Sequence, residues 1–223
     1  RIVQSIQGIG LLMMKSEERI DYNKRALQWD ADPGRVKLAD DVSEAIRREI
    51  TLSKEIDAID FGCGTGLVAL RLQPFVGTIT GIDNSQGMLA LLEEKISAQG
   101  LQNVKTLFVD FEKGDSINGK FNLIVSSMTL HHVPDTSALF RLWYELMLPG
   151  GYLCFADLDS EDGSFHSDKT GVFHFGFDRA HIKNLLQSIG FKDVRDTTAG
   201  IMERDIKGKG KGEFPVFLII AEK

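Results

Sequence analysis

Apolar residues gather along this chain in short runs set apart by polar and glycine-rich breaks, and the period of the pattern changes from one segment to the next. Between Lys15 and Leu52 the spacing is helical: Val36, Ala39, Val42, Ala45, Ile46 and Ile50 recur three and four positions apart, and Pro33 sits where a helix could begin. Compact apolar runs follow and predict buried strands over 58–61, 78–83, 104–109, 121–125 and 152–156. Helical stretches separate them, one directly after Gly66, one over 85–98 and one over about 136–147, and Pro149-Gly150-Gly151 divides the last of these from its strand. A further helix over about 178–188 ends at Gly190, whose lack of a side chain suits a helix C-cap. Two last strands, over about 193–206 and 214–221, are joined by Lys207-Gly208-Lys209-Gly210-Lys211-Gly212, which reads as a solvated hairpin loop. Regular alternation of strand and helix predicts an α/β fold, a doubly wound and mostly parallel seven-stranded sheet with a C-terminal antiparallel hairpin and an N-terminal helical region.

Chemistry concentrates where the first strand ends. The run Ala58-Ile59-Asp60-Phe61-Gly62-Cys63-Gly64-Thr65-Gly66 passes from apolar strand to acid to three alternating glycines, and Leu67-Val68-Ala69-Leu70 then starts a helix. Glycine reaches positive φ and lets a ligand approach the backbone, so strand, turn and helix start form a nucleotide-sized cradle. The second strand ends in Asp83, where a carboxylate can accept two ribose hydroxyls side by side, and the third ends in Asp110. Three strands ending in Asp put three carboxylates on the sheet edge where open α/β folds bind ligands. Two cofactor readings fit a cradle of this kind. A dinucleotide site wants G-x-G-x-x-G, but the position of the third glycine is Leu67, and Asp60 would repel a pyrophosphate while accepting from an ammonium group.

With these residues the chain resembles the class I methyltransferases that use S-adenosylmethionine, in particular the small-molecule branch typified by the ubiquinone and menaquinone biosynthesis enzymes. The resemblance runs from about Tyr22 to the C-terminus. It rests on 60–66, on Ile82-Asp83-Asn84-Ser85-Gln86-Gly87-Met88-Leu89, on Asp110-Phe111, and on the stretches 121–127 and 148–153. It implies a Rossmann-like fold in which Gly62 and Gly64, with Asp60 and Cys63, face the cofactor's amino-acid part. By the same likeness Asp83 and Asn84 hold the ribose, Met88 flanks the adenine, Asp110 accepts from the adenine amino group beside Phe111, and Ser126 lies on the cofactor side. The product would be S-adenosylhomocysteine. An antiparallel last hairpin belongs to this family, whereas a nicotinamide-binding domain ordinarily ends in a parallel sixth strand.

Methyl transfer from a sulfonium needs alignment and exclusion of water, and needs a base only where the accepting atom must lose a proton. The fourth strand leads into Ser126-Ser127-Met128-Thr129-Leu130-His131-His132-Val133-Pro134-Asp135, the place for substrate-facing polar groups. His131 is the candidate base or orienting donor. The Asn/Asp/Ser-Pro-Pro-aromatic motif of DNA-base amino methyltransferases is absent there. Tyr22 and Trp29 are candidate pocket walls, with aromatic core packing as the competing role, and His132 and His174 are further pocket candidates. The acid-, histidine- and aromatic-rich insertion over about 157–177 lies at the ligand end of the fifth strand, as part of an acceptor pocket or lid.

Length and charge narrow the classes. At 223 residues the chain holds one α/β domain, 1–223, with a leader and helical cap over 1–52 and the core over 53–223. Its 26 basic against 32 acidic residues argue against a general nucleic-acid binder. Cys63 and Cys154 are too few for a zinc cluster and read as small core residues in a reducing cytoplasm. No run approaches the roughly 20 apolar residues of a membrane span. Over 1–14 the apolar run is short for a secretory signal, and part of that leader reads as an extended or added start. The reading that results is a cytoplasmic S-adenosylmethionine-dependent methyltransferase acting on a small-molecule acceptor, with no metal. A non-catalytic methyltransferase-like partner subunit and an NAD(P)-dependent oxidoreductase are the alternatives.

Overall fold

The computed structural model describes residues 21–206 and 208–223, so the leader over 1–14 lies outside the described residues. The N-terminal helical region forms two pieces, α1 (Tyr22–Trp29) and α2 (Pro33–Glu49). Asp32 separates them: its side chain accepts from the backbone N–H of Gly34 at 2.8 Å and of Arg35 at 3.3 Å, and Pro33 occupies the first turn, where no N–H is needed. The core then alternates β1 (Asp57–Phe61), α3 (Leu67–Leu72), β2 (Thr78–Asp83), α4 (Gln86–Gln99), β3 (Val104–Phe108), β4 (Phe121–Ser127), α5 (Thr136–Leu146), β5 (Met147–Leu158), α6 (Arg179–Ile189), β6 (Lys192–Ile206) and β7 (Gly210–Glu222).

These strands form one seven-stranded sheet in the order β3-β2-β1-β4-β5-β7-β6. All neighbours from β3 to β5 are parallel, and β7 is antiparallel to both β5 and β6. Each central strand buries both faces by strict alternation. Ile59, Ile124, Leu153, Phe155, Phe217 and Ile219 pack with α5 and α6, while Ala58, Leu123, Val125, Cys154, Val216 and Leu218 pack with α2, α3 and α4. The strand order reverses between β1 and β4, which opens a crevice beyond their C-terminal ends.

One expectation changes at the start of β5. Pro149-Gly150-Gly151 does not separate helix from strand: β5 begins at Met147, and the glycines lie in an irregular stretch tied to the chain end, Gly150 N–H to the Lys223 carbonyl and Lys223 N–H to the Gly151 carbonyl, both at 3.0 Å. Phe173, Phe175 and Phe177 alternate without a strand; the insertion is irregular, closed at its base by a bridge between Asp159 and Phe177 and by Arg179, whose guanidinium donates to both Asp159 oxygens at 2.6 and 2.7 Å.

Candidate functional site

The ends of β1, β2 and β4, the turn after β1, α1, the insertion and the far part of β6 surround one cavity of about 810 Å³. Along one side of it the backbone sets the geometry. Gly62, Gly64 and Gly66 have φ of 73°, 54° and 79°, and a Cβ on Gly62 would run into the Thr129 side chain. The N–H groups of Gly62 and Cys63 donate to the Ile82 carbonyl at 2.8 and 3.0 Å, folding the turn onto β2. Gly64 N–H donates to Asp83 Oδ2 at 2.8 Å and Ser85 N–H to Oδ1 at 2.9 Å, which fixes the carboxylate and leaves it further lone pairs on the cavity wall. Burial raises the Asp83 carboxyl above its ordinary range, and these backbone donors oppose the rise.

Asp60 is different. It is buried within β1 and lines the cavity, yet its Oδ2 has no hydrogen-bond partner among the described residues, and burial pushes its carboxyl up to about 7. A buried carboxylate oxygen without a donor is costly, and a donor from a ligand or an ordered water would satisfy it. The wall of the same cavity also carries the opposite charge of Arg35. Its guanidinium lies 3.9 Å over the Trp29 ring, and a Cβ on Gly64 would stand 3.8 Å from Trp29 Nε1. Arg35 shares the single Asp32 carboxylate, at 3.6 Å, with Arg204 at 3.0 Å. Acid and guanidinium beside the glycine turn suit a zwitterion, and the apolar wall of Ile82, Met88, Val109 and Phe111 continues the cleft past Asp83 and Asn84.

Histidines dominate the other side. After β4, a single 3₁₀ turn (Leu130–His132) carries His131 and His132. His131 Nδ1 is 2.7 Å from Asp157 Oδ1, with both side chains buried, and His131 N–H donates to Oδ2 at 3.2 Å. Burial alone would raise the Asp157 carboxyl, but His131 and the backbone donors outweigh it and hold it below its ordinary range. His132 Nδ1 is 2.7 Å from the Gly171 carbonyl and must donate to it, so Nε2 accepts from the Tyr22 hydroxyl at 2.7 Å. Burial pushes His132 down to about 4, helped by His131, and lifts the Tyr22 phenol to about 12. His166, from the insertion, places its ring centroid 4.8 Å from that of His131.

Of the residues singled out by sequence, Tyr22, Trp29, Asp60, Gly62, Cys63, Gly64, Asp83, Asn84, Met88, Phe111, His131 and His132 line this one cavity. Asp110, Ser126 and His174 are not on its wall. Asp110 pairs with Lys113 at 3.1 Å while its neighbours Val109 and Phe111 face the cavity, the Ser126 hydroxyl donates to the Phe61 carbonyl at 2.8 Å, and His174 Nε2 donates to the Val133 carbonyl at 2.9 Å. Arg35 and Asp157 were not anticipated. The signal for Asp157 was present, an acid closing an apolar strand as Asp60 and Asp83 do; Arg35 carried none beyond its place after the Asp32-Pro33 cap. Among the described residues no three His, Cys, Asp or Glu side chains are grouped to hold a metal ion, and no helix is long and apolar enough to cross a membrane.

Comparison with known proteins agrees with the fold. Residues 58–151 match the family described as a methyltransferase domain. An uncharacterized methyltransferase of Schizosaccharomyces pombe is 32% identical over 151 residues, covering 61% of this chain and 53% of that protein. A ubiquinone biosynthesis O-methyltransferase of Coxiella burnetii is 27% identical over 157 residues, covering 66% of each. The chain thus spans about half to two thirds of the length of these curated relatives. In fold it is similar to a solved methyltransferase of Aquifex aeolicus, with a TM-score of 0.66 at 20% identity over 91% of this chain and 98% of that one. Residues 58–151 thus match a methyltransferase domain, and the chain is similar in sequence to curated methyltransferases and in sheet architecture to solved ones.

Proposed function

We propose that this protein transfers a methyl group from S-adenosylmethionine to a small-molecule acceptor, releasing S-adenosylhomocysteine. The unpartnered Asp60 oxygen at the glycine turn carries the reading: a buried acid that lacks a donor suits the cofactor's ammonium group and opposes a pyrophosphate. Arg35 takes the cofactor's carboxylate, Gly62, Cys63 and Gly64 let its amino-acid part lie against backbone, and Asp83 with Asn84 receives the ribose hydroxyls. Met88 and Phe111 border the adenine. When bound, the cofactor supplies an electrophilic methyl on a sulfonium; the protein aligns the acceptor, keeps water out and, through His131, provides a base. The insertion, Tyr22 and His132 enclose the acceptor end. Calorimetric titration with S-adenosylhomocysteine and with NADH tests the reading: micromolar binding of the first and none of the second is expected, and the reverse would replace methyl transfer with nicotinamide chemistry.

A further inference from the structure

Three imidazoles meet at the acceptor end, with ring centroids 4.2 Å apart for His131 and His132, 4.8 Å for His131 and His166, and 6.0 Å for His132 and His166. Their nitrogens are not equivalent. Both nitrogens of His132 are taken by the protein, one by the Gly171 carbonyl and one by the Tyr22 hydroxyl. Nδ1 of His131 must carry its hydrogen, because its partner is the Asp157 carboxylate; Nε2 therefore presents a lone pair, and among the described residues nothing donates to it. His166 lines the same cavity, and its Nε2 is buried without a partner among the described residues. Two imidazole nitrogens, on rings whose centroids lie 4.8 Å apart, are thus left for whatever enters.

We propose that the acceptor's reacting atom is a hydroxyl oxygen held between Nε2 of His131 and Nε2 of His166, with Asp157 positioning His131. The assignment rests on the methyl-transfer reading above. A hydroxyl needs an acceptor for its hydrogen and a donor for a lone pair, and the two nitrogens supply one each: His131 accepts, and His166 donates as its Nε2–H tautomer. As the oxygen forms its bond to the methyl carbon, the carbon–sulfur pair returns to sulfur and the sulfonium charge is discharged. The O–H electron pair stays on oxygen, and the proton moves to His131 Nε2, giving an imidazolium whose charge Asp157 balances. The groups facing His131 agree with this direction. Asp157 is the carboxylate beside it, while burial and the charge of His131 push both His132 and His166 down to about 4, so neither competes for the proton. A carboxylate or thiolate acceptor has no proton to lose and would set its lone pairs against that of Nε2.

The test uses protein saturated with S-adenosylhomocysteine and titrated with catechol, benzoate and aniline. Catechol is expected to bind at least about tenfold tighter than either competitor, the weight of one well-placed hydrogen bond. His166→Phe should erase that preference and His166→Gln keep part of it, with S-adenosylhomocysteine affinity within about twofold of wild type in both. Asp157→Asn should convert the single Nδ1–H tautomer of His131, read by nitrogen NMR, into a mixture, which loss of packing alone would not do. Benzoate or aniline binding as tightly as catechol, absence of catechol binding, or a preference that survives His166→Phe overturns the proposal. Failure of the wild-type protein to bind S-adenosylhomocysteine overturns instead the reading beneath it.

Discussion

The donor side of the cavity draws its polar groups, Arg35 of α2 apart, from one stretch of chain, Asp60 through Met88, placed at the ends of two adjacent parallel strands and the turn between them. The acceptor side gathers Tyr22 from α1, His131 and His132 from the turn after β4, Asp157 from β5, His166 from the insertion and Arg204 from β6. On the first side all the ligand partners but Arg35 are backbone and carboxylates that sheet topology alone brings to one edge. On the second they are side chains whose roles are set by one another's hydrogen bonds. Damage to the first should therefore act on cofactor affinity outright, and damage to the second on rates and selectivity, in smaller steps.

The sharpest break is at Gly62. At φ 73° with the Thr129 side chain where a Cβ would lie, Gly62→Val must displace either the turn or Thr129. S-adenosylhomocysteine affinity is expected to fall at least about a hundredfold, equivalent to ~3 kcal/mol. Calorimetry measures this, with circular dichroism confirming that the sheet persists. A fall below tenfold would mean that the backbone of the turn is not what holds the donor.

Next in size is Asp60, where the effect depends on pH. Its carboxyl sits at about 7 in the folded chain, above its ordinary value of 3.8, so between those values the native state holds a proton that the unfolded chain has lost. Stability without ligand should therefore decline as pH rises through that window and level off above 7. Binding runs the other way. In the proposed function the cofactor's ammonium pairs with the ionised acid, so S-adenosylhomocysteine affinity should climb about tenfold per pH unit up to about 7 and then flatten. Asp60→Asn should lose roughly ten- to a hundredfold in affinity at pH 8, abolish the slope, and leave the ligand-free protein no less stable at that pH. A slope that survives the substitution would move the titrating group elsewhere.

The same contrast explains what could be read from sequence. Sheet, helices, last hairpin and the glycine turn with Asp60 and Asp83 follow from local periods and from a topology that leaves little choice for the strand ends. Asp110 and Ser126 show where such reading stops. Each sits at a strand end as expected, but side-chain direction and local pairing, with Lys113 and with the Phe61 carbonyl, take them off the wall. The acceptor side was legible as a place and not as an arrangement. His131 stood out, but its partner Asp157 is contributed by the next strand, and His166 arrives through an insertion without regular structure that hydrogen bonds such as Phe173 N–H to the His131 carbonyl, at 2.9 Å, fasten to the 3₁₀ turn. No period in the sequence encodes those meetings.

Helix α1 is where the two sides touch, and it yields the smallest effect. Tyr22 reaches the acceptor side through its 2.7 Å bond to His132, while Trp29 at the other end of the helix stands beside Gly64 on the donor side. The helix is also tied down independently near both ends: Asn23 Oδ1 accepts from Gly87 N–H at 2.7 Å, and Asp30, just past Trp29, pairs with Lys95 and takes the Thr65 hydroxyl, both at 2.5 Å. Tyr22→Phe removes one tie and leaves a buried imidazole nitrogen without its donor, a cost of about 1–2 kcal/mol. Burial lifts the phenol to about 12, so the lost bond is one that the wild-type protein keeps at any working pH. With the other ties intact the helix should loosen at one end and stay attached. S-adenosylhomocysteine dissociation, followed by stopped-flow fluorescence of Trp29, is expected to quicken about three- to tenfold, with affinity falling in proportion and association unchanged. An unchanged dissociation rate would separate the two sides completely and make the Tyr22–His132 bond a feature of the acceptor pocket alone; a change as large as that of Gly62→Val would make α1 part of the donor site itself.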